Sequence, residues 1–463
     1  MTPQLECPVA RAARLQPDAP AIEFRGATLS YEQLETRVRR WQLRIAGTAF
    51  RARGEAEGAA PRLFAAGVSS VETIALVHAA ARAGAALALL NPRLTEAETS
   101  ALVASLQPAT AADALAPEPS GSVTTAIDPD AVQLLLFTSG TTGVPKAAQL
   151  TAGQLRSSAL ASNAVVGLDA RSRFLCCLPL FHIGGLSIAL RCAEAGATLL
   201  LHERFDAGAT ARALEDGATH VSLVASTLAR TLDQLRRPLS QVRAALIGGG
   251  PVSQPLLDRA RAAGLPVLQT YGLTETCAQV TCERPGEADG TTAGPAMPGM
   301  ELRIADGEIE VRGPALMLGY LGQPPLPRDW FRTGDLGALD ARGRLTVFAR
   351  RVDLILSGGE NVYPAEIETA LLEHPAVLEA AVVPVADERW GQAGCAFVAL
   401  RNDCDLQAFL RGRLAGFKIP RQFVRVDALP RTAAGKVDRR ALIRSLEPPG
   451  TSPAAGAAAA RGR

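Results

Sequence analysis

The sequence predicts an α/β fold in which a large N-terminal part of layered α/β subdomains, with a small antiparallel β part at its end, precedes a small α+β C-terminal domain. Three patterns carry this expectation. From residue 132 on, short apolar runs alternate with glycine-containing loops and helical stretches, as in parallel strands covered on both faces. Near residue 300 the runs 301–304 and 307–311 have the close spacing of an antiparallel pair. Beyond residue 349 the character changes again, and residues 353–446 contain two helix patterns and three strands.

Taken in order, residues 28–38 read as an amphipathic helix, with Ser30 as N-cap and Gln33 completing a capping box. Residues 48–61 are rich in glycine and charge and read as loop. The long apolar stretch 73–90 is interrupted by His78 and Arg82, so it reads as a buried helix and strand and not as a membrane span. Residues 117–129 are a second loop. Strands are expected at 133–137, 197–201, 221–224, 244–247 and 266–269, with helices between them. In the C-terminal region, helices are expected at 364–373 and 406–414 and strands at 377–383, 396–400 and 422–426. The expected domains are 1–349, 350–446 and a disordered Ala/Gly/Pro-rich tail, 447–463.

Composition narrows the function. Of 463 residues 48 are basic and 46 acidic, so the net charge of +2 argues against a nucleic-acid or acidic-membrane binder, which needs a basic surplus. The N-terminal segment has no apolar core of signal-peptide length. The eight cysteines show neither a CxxC pair nor zinc spacing, as expected of reduced thiols in a cytoplasmic enzyme. Only three of the 48 basic residues are lysine: Lys146, Lys418 and Lys436. Lysine is a compact point charge that the planar arginine fork cannot replace everywhere, so these three positions are informative.

The first lysine ends the segment Thr138-Ser-Gly-Thr-Thr-Gly-Val-Pro-Lys146, which directly follows a buried strand. Gly140 and Gly143 permit tight turns, while Thr138, Ser139, Thr141 and Thr142 add hydroxyl donors to exposed amides. With Lys146 as cation, such a nest suits phosphate oxygens. The spacing is not that of a Walker A loop. This segment resembles the phosphate loop of the adenylate-forming superfamily, which includes acyl- and aryl-CoA synthetases, luciferases and adenylation domains. Further motifs of that superfamily follow in order through residue 439.

The resemblance implies a small β-barrel-like antiparallel part, a mobile C-terminal domain, and a role for each matching residue. His182, in Pro179-Leu-Phe-His-Ile-Gly-Gly185, would help shape the carboxylate pocket. Gly248, Gly249, Gly250 and Pro251 would line the adenine and acyl pockets. In Thr270-Tyr-Gly-Leu-Thr-Glu-Thr276, Tyr271 and Gly272 would lie by the adenine, Thr274 at the α-phosphate, and Glu275 would bind Mg²⁺. Asp335 and Arg350 would hold the ribose. Gly358 and Gly359 would line a narrow thiol passage. Lys436 would act at the α-phosphate as the catalytic lysine. Ala349 and Val352 depart from the usual hinge pattern, which leaves the pivot residue open. No chemical role is read for Lys418.

The implied reaction joins a carboxylic acid to ATP with Mg²⁺, releasing pyrophosphate, and then passes the acyl group to a thiol. Coenzyme A is the expected acceptor and a separate carrier protein the alternative. Residues 178–186, 269–276 and 357–368 most resemble the o-succinylbenzoate–CoA ligases of menaquinone biosynthesis, with medium-chain and aryl acyl-CoA synthetases as alternatives. Arg191 reads first as a structural arginine and second as a partner for another carboxylate on the substrate. A monomer and a homo-oligomer both remain open.

Overall fold

The expected runs at 197–201, 221–224, 244–247 and 266–269 fall in one eight-stranded sheet, while 133–137 falls in a second. The order of the eight-stranded sheet is Thr281–Cys282, Val267–Tyr271, Ala244–Ile247, His220–Leu223, Arg173–Cys176, Thr198–Leu201, Pro20–Phe24, Ala27–Ser30. The interior pairs are parallel and only the two edge pairs are antiparallel. Thr198–Leu201, His220–Leu223 and Ala244–Ile247 are buried at every residue, which is why they read as mostly apolar runs and not as alternating ones. This computed structural model describes residues 3–48, 60–115, 122–138, 145–250, 252–327, 329–350, 354–357, 360–387, 391–411, 413–414, 416–432 and 435–446. Two compact units divide the chain, Met1–Val347 and Phe348–Arg463.

The first unit holds a second sheet of six strands, in the order Gly319–Tyr320, Lys146–Thr151, Val132–Thr138, Ala86–Leu90, Arg62–Ala66, Thr110–Ala111. The stretch read as a buried helix and strand is indeed Val71–Arg82 followed by Ala86–Leu90. The strand Arg62–Ala66 escapes the sequence pattern because it is short and does not alternate. One expectation is corrected. The phosphate-loop segment was expected to pass from strand to loop to helix, but the chain returns as a strand, Lys146–Thr151, antiparallel to Val132–Thr138. The helix begins only at Ala152, where Thr151 and Gln154 form a capping box. Four strands, Glu301–Ala305, Glu308–Arg312, Phe331–Leu339 and Leu345–Arg350, make the antiparallel sheet.

The predicted first helix is Tyr31–Ala46. Ser30 accepts from the Gln33 N–H, and Gln33 Oε1 accepts from the Ser30 N–H at 3.0 Å. The helix runs past residue 38 because Gln42 and Ile45 continue its buried face. On that face Glu35, 5% exposed, accepts from both Arg39 and Arg82. The Arg82 side chain is fully buried. Glu35→Ala is therefore expected to strand a buried guanidinium and to cost about 3 kcal/mol, read as a lower denaturant midpoint at unchanged slope.

In the second unit, Glu360–Val362, Ile355–Ser357, Gly391–Leu400 and Val377–Asp387 form a sheet in that order, with Gln422–Arg425 pairing parallel to Gly391–Leu400. Helices Pro364–Leu372 and Leu406–Arg411 pack on it through Ile367, Leu371, Leu406 and Leu410. A further helix, Arg439–Ser445, was not read from the sequence. Asp438 caps it by accepting from the Ala441 N–H at 3.0 Å.

Candidate active site

In open parallel sheets, ligands collect at the carboxyl ends of the strands. Three predicted motifs lie there. Residues 179–185 follow Arg173–Cys176, Gly248–Gly250 follow Ala244–Ile247, and Gly272–Glu275 follow Val267–Tyr271. The last two strands are neighbours, and a Cβ on Gly248 would lie 3.2 Å from the Thr270 methyl, so the glycine loop starts tight against the end of the next strand.

The loop after Tyr271 folds back tightly. A Cβ on Gly272 would fall 1.5 Å from the Ala278 carbonyl oxygen, a contact only glycine permits. Residues 274–276 form a single 3₁₀ turn, closed by Cys277 in the left-handed conformation (φ 51°). This turn presents Glu275. Its carboxylate accepts a 2.7 Å hydrogen bond from the Tyr320 hydroxyl, and its own carbonyl accepts from the Met317 N–H. The Lys146 ammonium stands 5.3 Å from the centre of the Tyr320 ring. The structure thus brings Lys146 and Glu275 to one tyrosine. Tyr320 was missed by sequence reasoning, since a lone Tyr on a two-residue strand carries no signal of its own.

A second pair joins residues 64 positions apart: the Tyr271 hydroxyl donates to Asp335 Oδ2 at 2.7 Å. Asp335, 5% exposed, lies on the strand Phe331–Leu339, and its N–H donates to Thr333. Thr138, at the end of its strand, is in register with Lys146. His182 precedes the helix Ile183–Ala195 and rests on Phe181, their ring centres 4.5 Å apart. A Cβ on Gly185 would meet the Pro179 carbonyl oxygen at 2.3 Å, so this helix starts in a turn with no spare room.

The second unit carries the remaining predicted residues. Arg350 ends the strand Leu345–Arg350, and Lys436 is exposed in the hairpin before the helix Arg439–Ser445. Lys418, which had no assigned role, donates to Glu366 Oε1 at 2.6 Å at the start of the helix Pro364–Leu372. Ser139, Gly140, Thr141, Thr142, Gly143, Pro251, Val352, Gly358 and Gly359 lie outside the described residues.

Among the described residues no group of three or more acidic, His or Cys side chains could cage a metal. A single carboxylate such as Glu275 is nonetheless what Mg²⁺ takes when nucleotide phosphates and water complete its octahedron. The donor set therefore fits the ion that the resemblance implies.

Arg191 is buried. It lies two turns into the helix that follows His182, is 2% exposed, and has a buried Nε with no hydrogen-bond partner. Among the described residues no carboxylate pairs with it, and burial pulls its guanidinium pKa down to about 10.

The Glu275–Tyr320 pair, the buried Asp335–Tyr271 pair and the Thr138/Lys146 hairpin, together with the two-unit α/β architecture, are the features expected of an AMP-forming acid–thiol ligase. Residues 103–321 match the family model "AMP-binding enzyme", and residues 366–436 match "AMP-binding enzyme C-terminal domain". The chain belongs to the AMP-binding enzyme family. It is 42% identical to the 2-succinylbenzoate–CoA ligase of Bacillus velezensis over 68% of this chain and 69% of that protein. It is 34% identical to the Bacillus pumilus enzyme of the same name, over 93% and 96%. Among solved structures, Bacillus subtilis o-succinylbenzoate CoA synthetase in complex with the acyl-adenylate intermediate OSB-AMP superimposes with a TM-score of 0.85 at 33% identity, covering 95% of this chain and 98% of that one.

Proposed function

We propose that this ligase joins o-succinylbenzoate to coenzyme A in menaquinone biosynthesis. Beyond the similarity to enzymes of that name, the supporting observation is Arg191, a buried guanidinium that no carboxylate among the described residues pairs with. An uncompensated charge in an apolar place is costly, and a substrate with a second carboxylate would supply its partner. Monocarboxylic fatty and aryl acids would not.

In this reading the first unit binds ATP and the acid, and the second brings Lys436. Thr138, Lys146 and the intervening loop hold the β- and γ-phosphates, with Gly248–Pro251, Tyr271 and Gly272 around the adenine. Asp335, oriented by Tyr271, accepts from the ribose hydroxyls, with Arg350 as a second contact. Glu275, held by Tyr320, takes Mg²⁺, which when bound withdraws charge from the phosphate oxygens. Thr274 and Lys436 stabilise charge at the α-phosphate as the carboxylate attacks and pyrophosphate departs, and His182 shapes the acid pocket. Coenzyme A then displaces AMP, its thiol arm passing Gly358 and Gly359. No helix among the described residues is long and apolar enough to cross a membrane, and the eight free cysteines support a cytoplasmic location.

The test is ATP–pyrophosphate exchange across o-succinylbenzoate, benzoates and C4–C12 fatty acids. Exchange with o-succinylbenzoate well above the others supports the proposal, and faster exchange with a monocarboxylate overturns the acid assignment. Thioester formation on a carrier protein but not on coenzyme A would overturn the acceptor. Arg191→Met should raise KM for o-succinylbenzoate by about ten- to a hundredfold, the loss of one charge-assisted hydrogen-bonded pair, with KM for ATP unchanged. The same variant should unfold at a higher temperature, because it removes a buried charge.

A further inference from the structure

Lys436 lies in a small hairpin. Arg431 and Val437 form an antiparallel bridge, the Thr432 N–H donates to the Lys436 carbonyl at 2.7 Å, and the Gly435 N–H donates to the Thr432 carbonyl at 2.9 Å. Gly435 takes a left-handed turn (φ 78°) just before the lysine. The hairpin is tied to the sheet by one carboxylate. Glu379 follows a register shift on the strand Val377–Asp387, a kind of irregularity that re-aims a side chain. Its Oε2 accepts from the Leu429 N–H at 3.0 Å, at the entrance to the hairpin. Its Oε1 accepts from Arg431 Nη2, and Arg431 Nη1 donates to the Gly435 carbonyl at 3.0 Å. One fork thus links the sheet to the residue preceding Lys436.

We propose that Glu379 and Arg431 are positioning residues that fix where the hairpin presents the Lys436 ammonium. The inference rests on the reading of Lys436 as the lysine of adenylate formation. A stabilising role explains the arrangement poorly. Both side chains are about 30% exposed (31% and 29%), and pairs of that kind add little to stability. Displacement of a reacting group by an ångström, by contrast, costs about a hundredfold in rate. The fork is specific, because a lysine at position 431 could reach Glu379 or the Gly435 carbonyl but could not hold both in one plane.

The experiment measures the two half-reactions separately. Adenylation is followed by ATP–pyrophosphate exchange, with the acid that gives the fastest exchange in the panel above. Thioester formation is followed from a synthetic acyl-adenylate and coenzyme A. Glu379→Ala and Arg431→Lys are expected to slow adenylation about ten- to a hundredfold, to leave thioester formation unchanged, and to add nothing on a Lys436→Ala background. Hydrogen exchange at the Thr432 and Gly435 amides should quicken in Glu379→Ala. Normal adenylation, an equal fall in both half-reactions, unchanged amide exchange or full activity in Arg431→Lys would each overturn the proposal. Loss of adenylation in Lys436→Ala with none in Glu379→Ala sinks the positioning role alone. Intact adenylation in Lys436→Ala sinks the reading of the lysine and the positioning role with it.

Discussion

Lys436→Ala is expected to slow adenylate formation by about 10²–10³-fold while leaving thioester formation from a supplied acyl-adenylate close to normal. The first half-reaction brings a carboxylate against a triphosphate, two anions that repel each other until a cation stands between them. A preorganised ammonium supplies that charge where it develops, at no reorganisation cost. In the second half-reaction a neutral or singly charged thiol attacks a mixed anhydride, and no such repulsion has to be overcome. Lys436→Arg should restore only a small part of the rate. The guanidinium spreads its charge over a plane, and this chain, with 45 arginines against three lysines, carries the point charge here. Comparable losses in both half-reactions would contradict the assignment.

Asp335→Ala is the second large effect. The carboxylate is 5% exposed and held by the Tyr271 hydroxyl at 2.7 Å. In the proposed complex it accepts from two ribose hydroxyls, and each charge-assisted bond is worth about 1.5–3 kcal/mol. Their joint loss predicts a fall in kcat/KM for ATP of about 10²–10⁴-fold, with KM for the acid little changed. Tyr271→Phe removes only the bond that orients the acid and should cost far less, about tenfold. Steady-state kinetics with ATP varied at saturating acid distinguish the two. Equal effects from both variants would mean that Asp335 acts only as a partner for Tyr271.

The parallel sheet and the motifs at its strand ends were legible because both are local signals: mostly apolar runs and short, spaced groups of Gly, Thr and charged residues. What escaped depends on contacts across the chain. Tyr320 meets Glu275 from 45 residues away, and Tyr271 meets Asp335 from 64 away, so neither pairing leaves a trace in spacing. Lys146–Thr151 was not anticipated as a strand because Lys-Ala-Ala-Gln-Leu-Thr alternates poorly. Its pairing with Val132–Thr138 overrides that weak propensity. Arg191 shows the converse. Its sequence context favours a structural arginine, and its burial with no paired carboxylate among the described residues can be seen only in the fold.

The register of Thr138 with Lys146 has a consequence for how this enzyme can vary. Because the two strands meet at those residues, the seven positions between them are spanned by a closed pair of ends that the sheet already holds together. Lengthening such a loop costs little, about 0.6 kcal/mol per doubling. An insertion there should leave melting behaviour near that of the parent while removing the grip on pyrophosphate. Folding thus places almost no constraint on the length of this segment, so under the proposed function its length answers to the phosphates it has to bind.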